Sequence, residues 1–403
     1  MVKKILKKIT PVFVLDWYHL MMAFLAALIY RFPSRKLIVI GVTGTSGKST
    51  TIGFIARIFE VAGKKAASAS TVRFKIGEKE WKNNLKMTMP GRFALQKFLR
   101  QALNAGCTHV ILEVTSEGIR QHRHQFINFD TAVFTNLSPE HIESHGGFEN
   151  YRAEKLKLFA ATSNIHVINE DDENAKYFLD VPARKIITFG KNSGVGAFEL
   201  QMLGSFNQYN AMAASAVAGV YGIDLDACKK ALEKVKGIPG RMEIVSQKPL
   251  VAVDYAHTPE QLEKVYQTFS SGNPKSEIKN PKLICVLGSC GGGRDAWKRP
   301  VLGKLAQQYC QEIIITDEDP YDEDPLEIMQ QVASGIDPGQ KPNHYRMVLN
   351  RKEAIEGAIA MAKPEDVVII TGKGSETLMC LANGVKIAWD DRQIARDALG
   401  AAK

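Results

Sequence analysis

After Pro33 the chain alternates short, near-continuous apolar runs with longer stretches in which apolar residues recur at helical spacing. In the first half "KLIVIGV", "HVILEV", "TAVFTNL" and "HVINEDD" read as strands, and in the second half "LVAVDYA", "KLICVLG", "EIIITDE" and "DVVIITG" do the same. Strands apolar on both faces belong to parallel sheets covered by helices on each side, so the pattern predicts an α/β fold with crossover helices. Almost every run ends in polar or Gly-rich residues, and in open α/β sheets ligands collect at the carboxyl ends of the strands. Chemistry is therefore expected on the post-strand loops. Gly and Pro punctuate "KGIPGRME" just before the second strand series, which predicts a boundary there. No internal repeat or low-complexity tract interrupts the pattern.

The first run leads into "GVTGTSGKST", residues 41–50, and then into "STTIGFIARIFEVAG", where Ile52, Ile55, Ile58, Phe59 and Ala62 share one helical face and Gly63 stops the helix. Strand, small-residue loop, Lys and helix form an anion cradle: the backbone N–H groups of Gly44, Thr45, Ser46, Gly47 and Thr50 face phosphate, Lys48 adds a point charge and Ser49 offers a hydroxyl to Mg²⁺. Val42 breaks the usual loop spacing, so support must come from elsewhere in the chain. Glu113 ends the "HVILEV" run, and Asn136, Glu140 and His141 follow "TAVFTNL". Mg²⁺ takes hard oxygen ligands and keeps waters, which makes Glu113 the best metal candidate and His141, by chemistry alone, an unusual one.

Composition changes this picture little. With 403 residues, 45% hydrophobic and 24% charged, the chain is of globular type and long enough for two or three domains. Six cysteines without a C-x-x-C pair indicate neither a zinc ribbon nor a disulfide framework, and a reducing cytoplasm is the default. The net charge of +9 gathers at the start, where residues 1–36 carry Lys3, Lys4, Lys7, Lys8, Arg31, Arg35 and Lys36 against Asp16 alone. No basic stripe interleaved with aromatics follows, so no nucleic-acid partner is expected. Within this segment the apolar core Leu20 to Ile29 is too short to span a bilayer. It reads either as a helix packed on the body or as a peripheral membrane contact, since a basic tail beside an apolar helix suits anionic headgroups.

A resemblance now adds to these readings. "GVTGTSGKST", "ILEVTSEGIRQHR", "TNLSPEHIESHGGFENYRAEKLKLF", "LGSFNQYN", "GRMEIV", "VDYAHTPEQLE", "GSCGGGRDAWKRP", "TDEDP" and "GKGSE" come in the order and approximate spacing of the Mur ligases, most like their MurE type. The resemblance covers roughly residues 17–403. After the basic, apolar N-terminal helical segment of residues 1–36, it implies a central P-loop-type ATPase domain with a parallel-rich sheet over 37–240 and a smaller Rossmann-like α/β domain over 241–403. Its phosphate loop has this shortened core, which accounts for Val42. The activity it implies is ADP-forming amide synthesis: ATP phosphorylates a carboxylate, and an amine attacks the acyl phosphate to give amide, ADP and phosphate. By resemblance Lys48 and Ser49 serve ATP and Mg²⁺, Glu113 and His141 hold metal at two Mg²⁺ sites, and Asn207 lies near adenine. Arg241 and Asp254 resemble residues that close on the nucleotide. Lys155 falls on the lysine that the family carbamylates with CO₂, a change that turns a repelling ammonium into an anionic oxygen ligand.

On the acceptor side Thr88, Thr115, Gln121 and Arg123 match positions that hold a muramoyl peptide, although Met89 stands where the second Thr of a Thr-Thr-Pro motif is usual. On the amine side Arg294, Gly372 and Glu376 match diamino-acid contacts. Diaminopimelate-adding relatives carry Asp-Asn-Pro-Arg after the "TD" pair; this chain has Tyr321 in the Arg position, and Asp319, Asp322, Glu323 and Asp324 crowd the loop. That combination favours lysine or ornithine, against the alternative of a solvated acidic loop. Ser375 stands where His is usual. Only about the last helix of the family's N-terminal UDP-binding domain is recognisable, which raises the hypothesis of a lipid-linked or membrane-proximal acceptor. Competing readings are another amide ligase of the superfamily, of folylpolyglutamate, poly-amino-acid or amidating type, and a nucleotide-binding regulatory module without ligase activity.

Overall fold

The computed structural model describes residues 10–270, 281–341 and 345–401, which form two compact units. The first comprises residues up to Leu137, Glu149–Glu199 and Gln208–Glu233; the second comprises Ser138–Phe148, Leu200–Asn207 and the chain from Lys234 on.

In the first unit eight strands form one sheet: β1 (Ile38–Thr43), β2 (Ala66–Ala69), β3 (Arg73–Ile76), β4 (Lys79–Lys82), β5 (His109–Glu113), β6 (Phe129–Phe134), β7 (Ile165–Asn169) and β8 (Lys185–Phe189). Their order is β4-β3-β2-β5-β1-β6-β7-β8, parallel throughout from β2 to β8, with β3 and β4 as an antiparallel edge. Val42 pairs with Glu113, Ala69 with Leu112 and Thr43 with Phe134, so the carboxyl ends of four central strands open at one edge. Helices α1 (Val12–Ile29), α2 (Lys48–Val61), α3 (Arg92–Asn104), α4 (Ser116–Arg120) and α5 (Phe148–Ala160) cover this unit, α1 packing on α3.

The second unit has the order β13-β12-β11-β14-β10-β9, from β9 (Glu243–Gln247), β10 (Leu250–Val253), β11 (Leu283–Leu287), β12 (Glu312–Thr316), β13 (Arg346–Val348) and β14 (Val367–Ile370). Only β9 runs antiparallel. Alternate residues feed two separate cores: Leu283, Cys285 and Leu287 enter one, Ile284 and Val286 the other. Period-2 alternation vanishes from the sequence because both faces are buried. All eight predicted strands are present.

The cysteines depart from the all-thiol expectation at one place. Cys285 of β11 and Cys310, at the end of the helix Lys298–Tyr309, form a buried disulfide across 25 residues of sequence. Cys107, Cys228, Cys290 and Cys380 are free. Strand and helix end are neighbours only through the crossover, which local spacing does not reveal.

Candidate active site

The phosphate loop is the junction of β1 and α2. Gly44 and Gly47 have φ of 149° and 79°, and a Cβ on them would lie 2.0 Å from Thr135 Oγ1 and 2.3 Å from Asn210 Oδ1, so both positions require glycine. Asn136, just past β6, pins the loop: its Oδ1 accepts from Ser46 N at 2.9 Å and from Ser46 Oγ at 3.0 Å, and its Nδ2 donates to Ser46 O. No side chain caps the N-terminus of α2, which leaves its first N–H groups for an anion. Lys48 Nζ folds back onto Gly44 O at 3.0 Å and Thr45 O at 2.8 Å. Ser49 and Thr50 are buried beneath the loop.

From this loop a polar chain leads to the acceptor motif. Ser49 Oγ donates to Glu113 Oε2 at 2.7 Å; Thr71 gives Glu113 its N–H at 2.8 Å and its hydroxyl at 3.1 Å; Thr71 Oγ1 is 2.9 Å from Thr88 Oγ1. Thr71 went unrecognised in the sequence, because only the pairing of β2 with β5 brings it to Glu113. The Ser49 hydroxyl and Glu113 carboxylate are adjacent hard oxygen donors, and among the described residues no cluster of three or more His, Cys, Asp or Glu could hold a metal. Such a sparse set fits Mg²⁺, which draws its other ligands from water and phosphate.

Lys155 on α5 is 2% exposed, with Nζ 2.8 Å from Gly44 O and 4.5 Å above the Tyr151 ring; Tyr151 OH in turn lies 3.2 Å from Thr45 Oγ1. Its neighbour Lys157 is an ordinary surface residue paired with Glu154. The acceptor candidates cluster around α4. Thr115 caps it by accepting from Gly118 N, Gln121 Oε1 accepts from Arg123 Nη2 at 2.7 Å, and Arg123 also donates to Met89 O. Arg92 adds a second guanidinium, bonded to Gln121 O. Met89 is buried against Gly118, where an added Cβ would lie 2.4 Å from its sulfur. Met89 thus fills buried space beside Gly118.

In the second unit the segment Ser138–Phe148 is clamped to the loop before the helix Lys298–Tyr309. Asp295 accepts from Ile142 N at 3.2 Å and Glu143 N at 3.1 Å, while Glu143 accepts from Ala296 N and Trp297 N. Next to this clamp stands His141, in a left-handed conformation with φ 57°. Burial lowers its pKa to about 4, against the opposing pull of Glu140 3.8 Å away, so the imidazole is neutral at pH 7. Glu140 itself accepts from His257 Nε2 at 2.8 Å, a partner the sequence reading missed.

Arg241 stacks on the Tyr255 ring at 4.2 Å. Asp254 is buried and accepts from Met242 N and Ala256 N, both at 2.7 Å; burial nevertheless raises its pKa. Asn207 is buried too and donates to Leu203 O at 2.6 Å.

The carboxylates of the acidic loop are engaged within the unit. Asp319 is 3% exposed and accepts from Lys373 Nζ and from Cys380 N, both at 2.7 Å; it is a structural counter-ion, not a surface carboxylate. Asp322 accepts from Asn383 N, Glu323 pairs with Arg299, and Asp324 caps the helix Pro325–Ala333. Glu376 also holds Lys373, at 2.8 Å. Tyr321 has φ 54° and packs its ring on Gly292, where a Cβ would meet it at 2.6 Å. Arg294 is exposed on the same Gly-rich loop. The carboxylate that stands out is Glu318, 1% exposed: its Oε1 accepts from Cys290 Sγ at 3.1 Å, while its buried Oε2 has no hydrogen-bond partner among the described residues and lies against Gly372. In the sequence it stands at the first position of the Asp-Asn-Pro-Arg pattern, but only the fold shows its burial.

Comparison with known proteins is consistent across both units. The Mur ligase middle domain matches residues 42–198, and the Mur ligase glutamate ligase domain matches residues 240–374. The chain is 35% identical over 408 residues to the UDP-N-acetylmuramoyl-L-alanyl-D-glutamate–2,6-diaminopimelate ligase of Syntrophomonas wolfei, covering 94% of this chain and 81% of that protein. It is 35% identical to the UDP-N-acetylmuramyl-tripeptide synthetase of a Roseiflexus species, covering 93% and 81%. A solved diaminopimelate ligase of this kind aligns at 31% identity with a TM-score of 0.58, covering 91% of this chain and 78% of that one. The ADP complex of Mycobacterium tuberculosis folylpolyglutamate synthase shares the fold at 16% identity, with a TM-score of 0.68 over 88% of this chain and 91% of that one.

Proposed function

The chain belongs to the Mur ligase family of ATP-dependent amide ligases, and on that footing we propose that it joins lysine or ornithine to the carboxylate of a muramoyl-peptide acceptor, in the cytoplasm, during peptidoglycan precursor synthesis. The acceptor carboxylate bonds the γ-phosphorus of ATP as the bond to ADP breaks. The amine then attacks the acyl carbon, loses a proton and expels inorganic phosphate. Lys48, Ser46 and the open N-terminus of α2 bind the phosphates, and Arg241, Asp254 and Asn207 engage the nucleoside. Thr88, Thr115, Gln121 and Arg123 orient the acceptor. Arg294, Gly372 and Glu376 hold the amino acid.

Mg²⁺, when bound, neutralises charge on the transferring phosphoryl group. Ser49 and Glu113 are its proposed ligands, with neutral His141 and carbamylated Lys155 for a second ion. In favour of the carbamate, Lys155 is buried beside the phosphate loop, where an ammonium would repel a metal.

The observation that carries the ligase reading is the unbroken polar chain Ser49–Glu113–Thr71–Thr88, which ties phosphate loop, metal carboxylate and acceptor motif together within one unit. For the amine, support comes from Tyr321 in place of a carboxylate-gripping Arg and from Glu318, whose unpartnered oxygen suits a terminal ammonium. The names of several relatives specify 2,6-diaminopimelate, so the amine needs a direct test. Candidate acceptors are crossed with lysine, ornithine and diaminopimelate, and the amide is detected by mass spectrometry. Lysine or ornithine adducts are expected, reduced at least tenfold in Glu318→Gln. Preferential addition of diaminopimelate would overturn the amine assignment, and ATP turnover independent of both co-substrates would favour a nucleotide-binding module.

A further inference from the structure

Helix α1 buries one narrow face and leaves the other bare. Ala23, Ala26 and Ala27 are buried in the first unit, while Phe13, Val14, Trp17, Tyr18, Met21, Phe24, Leu25, Leu28 and Ile29 are between 40% and 67% exposed. Nine large apolar side chains on one 18-residue helix exceed what scattered surface hydrophobics explain, so the face has a partner. Asp16 is the helix's single acidic residue, and it is bonded to His122 Nε2 at 2.6 Å.

The character of that partner follows from the flanking charge. Arg31, Arg35 and Lys36 are exposed directly after the helix, and the sequence before it holds Lys3, Lys4, Lys7 and Lys8. An apolar face carrying Trp and Tyr, bounded by cations at both ends, matches an interface of acyl chains under anionic headgroups. No described helix is long and apolar enough to cross a membrane, so the helix would lie in the surface plane. We propose that the exposed face of α1 docks the protein on an anionic lipid bilayer.

Docking has a consequence for the acceptor loop. α1 touches residues 121–126 through the Asp16–His122 bond and through Phe24, whose ring centroid is 5.4 Å from that of Phe126. The same loop carries Gln121 and Arg123. A docked chain therefore holds its acceptor residues near the headgroup layer, where a lipid-linked muramoyl peptide would be presented. Docking itself rests on α1 and holds whichever substrate is used.

The test is co-flotation of the full chain with vesicles of pure phosphatidylcholine or of phosphatidylcholine with one-quarter phosphatidylglycerol, in low and high salt. Binding to the anionic vesicles is expected at least tenfold above the neutral ones. The Trp17→Glu/Leu28→Glu variant, whose changes lie on the exposed face, should lose at least tenfold while keeping its circular dichroism spectrum and its ATP binding. Should that variant misfold, Arg35→Glu/Lys36→Glu serves instead, with a smaller, salt-sensitive loss expected. Vesicle binding unaffected by the α1 substitutions overturns the proposal. So does absence of binding with α1-dependent dimers in sedimentation, which would make a second copy the occupant.

Discussion

In the first unit Lys48 and Arg123 donate to main-chain carbonyls, whereas in the second Lys373, Arg299 and Arg351 sit on carboxylates. Both arrangements order a long cationic side chain, but with opposite electrostatic results. A carbonyl dipole holds the cation without cancelling its charge, so the phosphate loop and acceptor loop stay positive toward an anionic ligand. A fixed carboxylate cancels the charge and locks the geometry. Lys373, fully buried between Asp319 and Glu376, and Arg351, fully buried against Asp391, are framework in this sense. The lesson is that a cation's partner, more than its burial, decides whether its charge stays available to a ligand.

The contrast breaks most sharply through two substitutions. Lys48→Ala should lower acceptor-dependent phosphate release by about 10²–10³-fold, with a stability change below about 1 kcal/mol. Lys373→Met should do the reverse first: it strands the buried Asp319 carboxylate and the half-buried Glu376, and chemical unfolding should report a loss of about 3–5 kcal/mol in the second unit. If both substitutions destabilise alike, the distinction between carbonyl-held and carboxylate-held cations fails.

A smaller effect sharpens the reading of the acceptor loop. Gly118→Ala places a methyl against Met89 sulfur and 3.1 Å from Thr115 Oγ1, so it should cost about 1–3 kcal/mol and raise the acceptor KM. Combined with Met89→Ala, the two costs should be less than additive, because the clash with the sulfur disappears. Were the two costs simply additive, Met89 would not be the packing partner of Gly118.

What could be read from the sequence follows the same division. The eight central strands were legible because burial on both faces leaves a continuous apolar signature. β4 was not, since all its residues are exposed, nor was β13, with only three. The phosphate loop was legible because its chemistry is local in sequence. Thr71 was not: it follows "AASA", a strand of small residues, and meets Glu113 only through a pairing 42 residues away. The partner of Asp319 was hidden for the converse reason. A run of acids looks like a surface patch until Lys373, 54 residues on, is seen buried against it.

Acidification should separate the two units by a smaller margin. In the first, burial lowers His109 and His124 from 6.5 to about 4. Below pH 6.5 the unfolded chain binds protons that the folded unit refuses, so stability falls with pH, by on the order of 1–2 kcal/mol per histidine between pH 7 and 5. In the second, metal-free unit His141 acts in the same direction, but Asp317 opposes it. Burial raises the Asp317 carboxyl from 3.8 to about 6, so its contribution is fully present below 3.8 and is lost as pH rises through about 6; it returns about 1 kcal/mol between pH 7 and 5. Calorimetry should therefore show the first unit's transition dropping further than the second's on acidification. His124→Gln should flatten the first dependence. Asp317→Asn should steepen the second, because His141 then meets less opposition; equal slopes in wild type and both variants would mean that these buried groups do not set the acid response.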